Sequence, residues 1–212
     1  RASKVLGSDI KLVYLLREPV SRIVSHHHHV LSNEPCAARV DEFVLEERHH
    51  TMVFTKYAFQ LKAWLEYYPI ERVRVLIFEE YVKDRPGVVA GLADFLGFES
   101  DVSRINTSMR YNAAEDRSRD SGIFMAMRKS ALYGRIRPLL PIGVRDKLRA
   151  ALAPKAPPAP PPPSAETVDY ILESLEEDQR ELADLLGRPF PIWNPDDVRR
   201  KFRARREEWS AS

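Results

Sequence analysis

Short apolar runs and longer amphipathic stretches alternate along this chain. Leu12 to Leu16 is an unbroken apolar run of strand length, the pattern of a strand buried on both faces. From Pro19 onward, Val20, Ile23, Val24 and Val30 recur at helical spacing. Proline suits a first helical turn, because its φ is fixed and its missing N–H is not needed there. A short helix is predicted around Val40, Phe43 and Val44. Thr55 opens an amphipathic helix with Ala58, Leu61, Leu65 and Tyr68 on one stripe, closed by Pro69. Val73 to Phe78 reads as a second buried strand. Asp84 is placed to cap the next helix, with Pro86 in its first turn and Gly97 as a left-handed end. Strand, helix, helix, strand, helix predicts an α/β fold with a parallel sheet. Two strands are few for an open sheet, so more of it is expected from residues preceding Arg1.

Residues from about Asp101 to Ser121 are polar and irregular. Helical periodicity resumes through Ile123, Met127, Leu132 and Ile136, and a second short helix is predicted from about Gly143 to Leu152. Pro154 to Pro163 is a proline-rich spacer, stiff and extended, read as a connector rather than as a ligand for an SH3-like partner. Ser164 caps a long helix whose Val168, Ile171, Leu172, Leu175, Leu182 and Leu185 form one stripe ending at Gly187. That stripe must bury against something, so the spacer is expected to lie inside one domain covering residues 1–195. Residues 196–212 are read as a basic, solvated tail, with six Lys and Arg between Arg199 and Arg206.

Composition narrows this picture. The chain has 212 residues, enough for one α/β domain with a substantial core. Lys and Arg number 33 against 31 Asp and Glu, a formal charge of +2, which is too balanced to suggest nucleic acid. A single cysteine, Cys36, excludes an intrachain disulfide, and the expected compartment is cytoplasmic. No apolar run approaches the ~20 residues of a membrane helix. The Ala, Arg and Pro bias suits a bacterial source.

Chemistry concentrates after the first strand. Arg17 stands at its carboxyl end and Ser25 on the following helix, at the sheet edge where open α/β folds bind ligands. A guanidinium presents a planar fork matched to phosphate oxygens, and a hydroxyl adds another hydrogen bond. The plainer reading pairs Arg17 with a carboxylate and leaves Ser25 an ordinary helix residue.

Arg17 and Ser25 lie in the pattern Arg-x-Pro-x-x-Arg-x-x-Ser, which resembles the 3′-phosphate segment of sulfotransferases that use 3′-phosphoadenosine 5′-phosphosulfate (PAPS). Tyr57-Ala-Phe-Gln-Leu-Lys-Ala-Trp-Leu65, Arg74-Val-Leu-Ile-Phe-Glu-Glu-Tyr81, Phe95-Leu-Gly-Phe98 and Asp178 to Gly187 with Trp193 resemble further family segments, in family order. The resemblance covers roughly residues 8 to 195. It implies a P-loop-like, three-layer α/β/α fold with a helix-rich C-terminal part. It also implies sulfuryl transfer from PAPS to a hydroxyl or amine of a carbohydrate or small molecule, releasing 3′,5′-adenosine bisphosphate. Arg17 and Ser25 would hold the 3′-phosphate, and Arg22, one turn from Ser25, would support it. Asn112 matches a recurrent family asparagine, and Arg117 or Arg119 would close over the nucleotide.

The family's opening loop, of the type Pro-Lys-x-Gly-Thr, has no counterpart here. The chain is therefore expected to lack its natural N-terminal portion. The catalytic base stays unassigned, since in the family it commonly lies in that portion. His26 to His29 point in four directions about 100° apart on a helix, so they cannot converge on one proton. A structural or surface role is expected for them, with a catalytic role, or a zinc shared by His26, His29 and a third ligand from elsewhere, as the alternatives. His49 and His50 are left without a role, and Glu79 is expected to orient its loop or cap the next helix. Two rival readings remain: a non-catalytic sulfotransferase-like module and a P-loop kinase-like enzyme.

Overall fold

The computed structural model describes residues 4–5, 7, 9–33, 36–46, 50–98, 105 and 160–211. Its elements in chain order are β1 (Leu12–Leu16), α1 (Pro19–Asn33), α2 (Val40–Phe43) and α3 (Tyr57–Leu65). They continue through β2 (Val73–Ile77), α4 (Phe78–Lys83), α5 (Arg85–Leu96), α6 (Ala165–Leu186) and α7 (Pro195–Ser210). The two strands pair in parallel, from Leu12 opposite Val73 to Leu16 opposite Ile77. This is the α/β arrangement with a parallel sheet that the alternating pattern predicts.

The register puts Leu12, Tyr14, Leu16, Val73, Val75 and Ile77 on one face, because strand side chains alternate. Tyr57, Ala58 and Leu61 of α3 and Leu182 of α6 bury that face. On the other face α5 lies against β2, where the Arg74 guanidinium is 3.5 Å from the place a β-carbon on Gly91 would occupy. Lys11 adds a 2.6 Å hydrogen bond to the Phe95 carbonyl. Over β1 that outer face is bare among the described residues: Val13 is 43% and Leu15 53% exposed. Among the described residues β1 is therefore covered on one face, not on both. An apolar run alone does not say which neighbours will cover it.

A second core joins Val20 and Ile23 of α1, Val40 of α2, Val168, Ile171 and Leu175 of α6, and Val198 and Phe202 of α7. Burying each such side chain stabilises by roughly 1.5–3 kcal/mol, so α6 is held along most of its length by both cores. The basic stretch from Arg199 to Arg206 is thus part of a packed helix rather than a solvated tail. Its Val198 and Phe202, one helical turn apart, give it an apolar stripe that its charge had masked.

Local chemistry sets several boundaries. Asp84 accepts the Gly87 N–H at 3.0 Å, and Ser164 accepts the Thr167 N–H at 3.1 Å. Gly97 and Gly187 end α5 and α6 at φ of 79° and 59°, the left-handed region that favours glycine. Phe78 opens α4 rather than extending β2. The predicted helices at 121–137 and 143–152, and the spacer up to residue 159, lie outside the described residues.

Candidate functional site

Arg17 follows β1 directly, and the peptide between Arg17 and Glu18 is fixed at both polar ends. Its carbonyl accepts the Tyr57 hydroxyl at 2.8 Å, and its N–H donates to Glu79 Oε1 at 3.1 Å. Glu79 Oε2 in turn accepts the Trp193 indole N–H at 3.0 Å, so this carboxylate, inside α4 rather than in a loop of its own, orients the turn after β1. The Arg17 guanidinium lies over the Phe78 ring, 4.8 Å from its centre. Its Nε is buried and has no hydrogen-bond partner among the described residues. The plainer pairing of Arg17 with a carboxylate is not formed there.

Glu18 starts α1. It is 3% exposed, and its carboxylate accepts the Val20 N–H at 2.6 Å, the Ser21 N–H at 2.9 Å and the Ser21 hydroxyl. These are N–H groups that a helix start leaves unpaired, and a negative charge there also suits the helix dipole. Sequence reasoning missed Glu18. The available signal was an acidic residue immediately before a helix-opening proline.

Arg22 lies one turn into α1 and is half-buried. Its Nη1 donates to Thr55 Oγ1 at 3.0 Å, and no carboxylate pairs with it among the described residues. Burial lowers its pKa, opposed by the phenols of Tyr57 and Tyr14. The two tyrosines meet edge to face, with ring centres 6.2 Å apart. Burial pushes Tyr14 up to about 12, with Arg22 pulling it down and Asp178 pushing it up. Tyr57 is raised too, mainly by burial and against Arg22. The Tyr14 hydroxyl is buried without a hydrogen-bond partner among the described residues. It too was missed, although its alternation with Leu12 and Leu16 places it on the inner face.

Ser25 sits on α1 one turn beyond Arg22, half-buried, with no side-chain hydrogen bond among the described residues. Tyr57 therefore joins Arg17 and Arg22 into one neighbourhood, while no direct bond ties Ser25 to either. Arg117, Arg119, Asn112 and His49 lie outside the described residues. His27 is fully buried against Phe43, ring centres 4.8 Å apart, with Nε2 2.8 Å from the Ala37 carbonyl oxygen; His29 is exposed. His26 tilts on Phe43 at 5.8 Å, so the run splays as helical geometry requires.

Arg17 directly beyond the carboxyl end of β1 and Arg22 one turn into α1 set two cations at the sheet edge where open α/β folds bind ligands. Residues 2–129 match the family model described as "Sulfotransferase domain", more than half of the chain, and the chain belongs to that family. The human heparan sulfate glucosamine 3-O-sulfotransferase 3B1 is 26% identical over 106 residues, which are 46% of this chain and 27% of that protein. The mouse heparan sulfate glucosamine 3-O-sulfotransferase 6 is 27% identical over 161 residues, 70% of this chain and 46% of its own length. The chain thus spans less than half the length of these relatives. A crystal structure of a sulfotransferase from Alicyclobacillus acidocaldarius is 20% identical, with a TM-score of 0.48, over 87% of this chain and 57% of that one.

Proposed function

We propose that this chain takes part in transferring a sulfuryl group from PAPS to a hydroxyl or amine of a carbohydrate or small-molecule acceptor. The new bond joins the acceptor oxygen or nitrogen to sulfur. The donor's sulfur–oxygen bond breaks, 3′,5′-adenosine bisphosphate leaves, and the acceptor proton passes to a base. The moving group carries spread negative charge, so catalysis rests on positioning and cationic stabilisation, as in phosphoryl transfer.

Arg17 holds the 3′-phosphate in this reading, Ser25 adds a hydroxyl and Arg22 supports them, with Arg117 or Arg119, outside the described residues, as the further nucleotide contact. The Arg17 Nε supports such a group, being a buried donor without a partner among the described residues. A kinase-like reading has no comparable support, since the family match is to sulfotransferases. The relatives' names favour a carbohydrate acceptor. With one cysteine in the chain, we place it in the cytoplasm. Among the described residues no helix is long and apolar enough to cross a membrane.

The observation that carries this reading is Arg17, set on a doubly fixed peptide with an unused buried donor. Calorimetric titration of 3′,5′-adenosine bisphosphate into the full-length protein and its Arg17→Ala variant tests it. A charged hydrogen bond contributes about 1.5–3 kcal/mol, so affinity should fall roughly 10- to 100-fold. Equal affinities reject the assignment.

A further inference from the structure

The C-terminal helix α7 reaches the start of α1, and the contact is polar. Lys201 lies beside the buried Phe202 and extends its amine to Ser21 Oγ at 2.6 Å, with Glu18 Oε2 at 3.6 Å. The Glu18 side chain is 4% exposed and the Lys201 side chain 39%. Glu18 directly follows the proposed phosphate-binding arginine, and its carboxylate closes the first turn of α1.

A buried carboxylate beside an anion site creates two difficulties. It costs free energy to keep charged away from water, and it repels an incoming phosphate. One amine at this position answers both. It neutralises Glu18 and, through Ser21, holds the carboxylate on the helix start.

We propose that Lys201 is a positioning residue for anion binding at the Arg17 turn, making α7 part of the nucleotide site without touching the nucleotide. The proposal rests on the reading of Arg17 given above. Without Lys201, the buried Glu18 carboxylate, one residue from Arg17, loses its ion-pair partner among the described residues and adds an unneutralised negative charge to the Arg17 turn. The loss therefore falls on ligand affinity and depends on the Glu18 charge.

Calorimetric titration of 3′,5′-adenosine bisphosphate into the full-length protein and five variants tests this: Arg17→Ala, Lys201→Met, Lys201→Arg, Glu18→Gln and the Lys201→Met/Glu18→Gln pair. Thermal melts of each preparation confirm that the folded state is being compared. Lys201→Met should weaken binding at least fivefold, Lys201→Arg should recover most of that loss, and adding Glu18→Gln to Lys201→Met should restore affinity to within about twofold of Glu18→Gln alone. A merely structural lysine would not be rescued by removing the carboxylate. Wild-type affinity in Lys201→Met, with Arg17→Ala still weakened, overturns the proposal and leaves the phosphate assignment standing. No loss in Arg17→Ala overturns the assignment and the proposal with it.

Discussion

Tyr14 carries a phenol that is buried, faces Arg22 and has no hydrogen-bond partner among the described residues. A hydroxyl in that state contributes its desolvation cost with no bond to offset it. Tyr14→Phe should leave stability near neutral pH unchanged or raise it by up to about 1 kcal/mol. The pH dependence has a definite sign. Because the folded pKa, about 12, lies above the unfolded value of about 10, the neutral phenol's contribution is fully present below 10 and is lost as pH rises through 12. Urea denaturation across that window should show the variant's advantage widening, and a constant gap would mean that Tyr14 titrates alike in both states. Ser25→Ala removes a neutral hydroxyl and should weaken adenosine bisphosphate binding about fivefold, less than Arg17→Ala. A loss as large as that of Arg17→Ala would contradict the roles given to the two residues. The positions of Arg17 after β1 and Ser25 on α1 were legible because strand, turn and helix spacing sets them there, while the phosphate role came from the family resemblance. Tyr14, Glu18 and Lys201 were not, because their significance lies in burial and distant neighbours that no local pattern records.

The start of α3 shows how one element is finished by another. Its capping position is Lys56, whose side chain makes no cap. The Ala58 and Phe59 N–H groups donate instead to Asp178 of α6, at 3.1 and 3.0 Å. Asp178→Ala should cost about 1–2 kcal/mol in urea denaturation, the range for a lost helix cap, and a loss below half that would mean water replaces the carboxylate. The start of α6 is tied in the reverse sense, since Asp41 Oδ1 accepts the Ser164 N–H and the Thr167 hydroxyl, both at 2.7 Å. Partial burial acts to raise the Asp41 pKa, but these bonds and Arg39 outweigh it and hold the carboxyl below its usual value. A depressed folded pKa gives stability that is present above the unfolded value of about 4 and is lost as pH falls through the folded one. Melting curves of wild type and Asp41→Asn should therefore differ at neutral pH and converge only in acid below about 4; a gap that persists there removes the carboxylate from the explanation. Asp84, Gly97, Ser164 and Gly187 were readable as helix ends because each acts within three or four residues of its own helix. The Asp178 cap spans 120 positions and leaves no local trace.

At the scale of the whole molecule, the chain's two cores share α6, and the deeper consequence concerns α7. Charge density argued for a solvated tail, whereas burial is decided by the one face on which Val198 and Phe202 sit among Val20, Ile23 and Ile171. A helix can carry many cations and still be core, because long basic side chains leave the opposite stripe free. Since α7 shares its core with α1, which begins at the Arg17 turn, the two should unfold in one cooperative step. Phe202→Ala removes a ring that is 2% exposed and should cost about 3–5 kcal/mol, as large-to-small changes in cores do. Arg203→Ala, at an exposed position of the same helix, should change stability by no more than about 0.5 kcal/mol. Urea curves followed by far-ultraviolet circular dichroism and by tryptophan fluorescence should superimpose for wild type, with the Phe202→Ala midpoint lowered and the slope unchanged. Two separated transitions, or a Phe202→Ala midpoint equal to that of Arg203→Ala, would show α7 to be an independent appendage and would break the link between the C-terminal helix and the Arg17 turn.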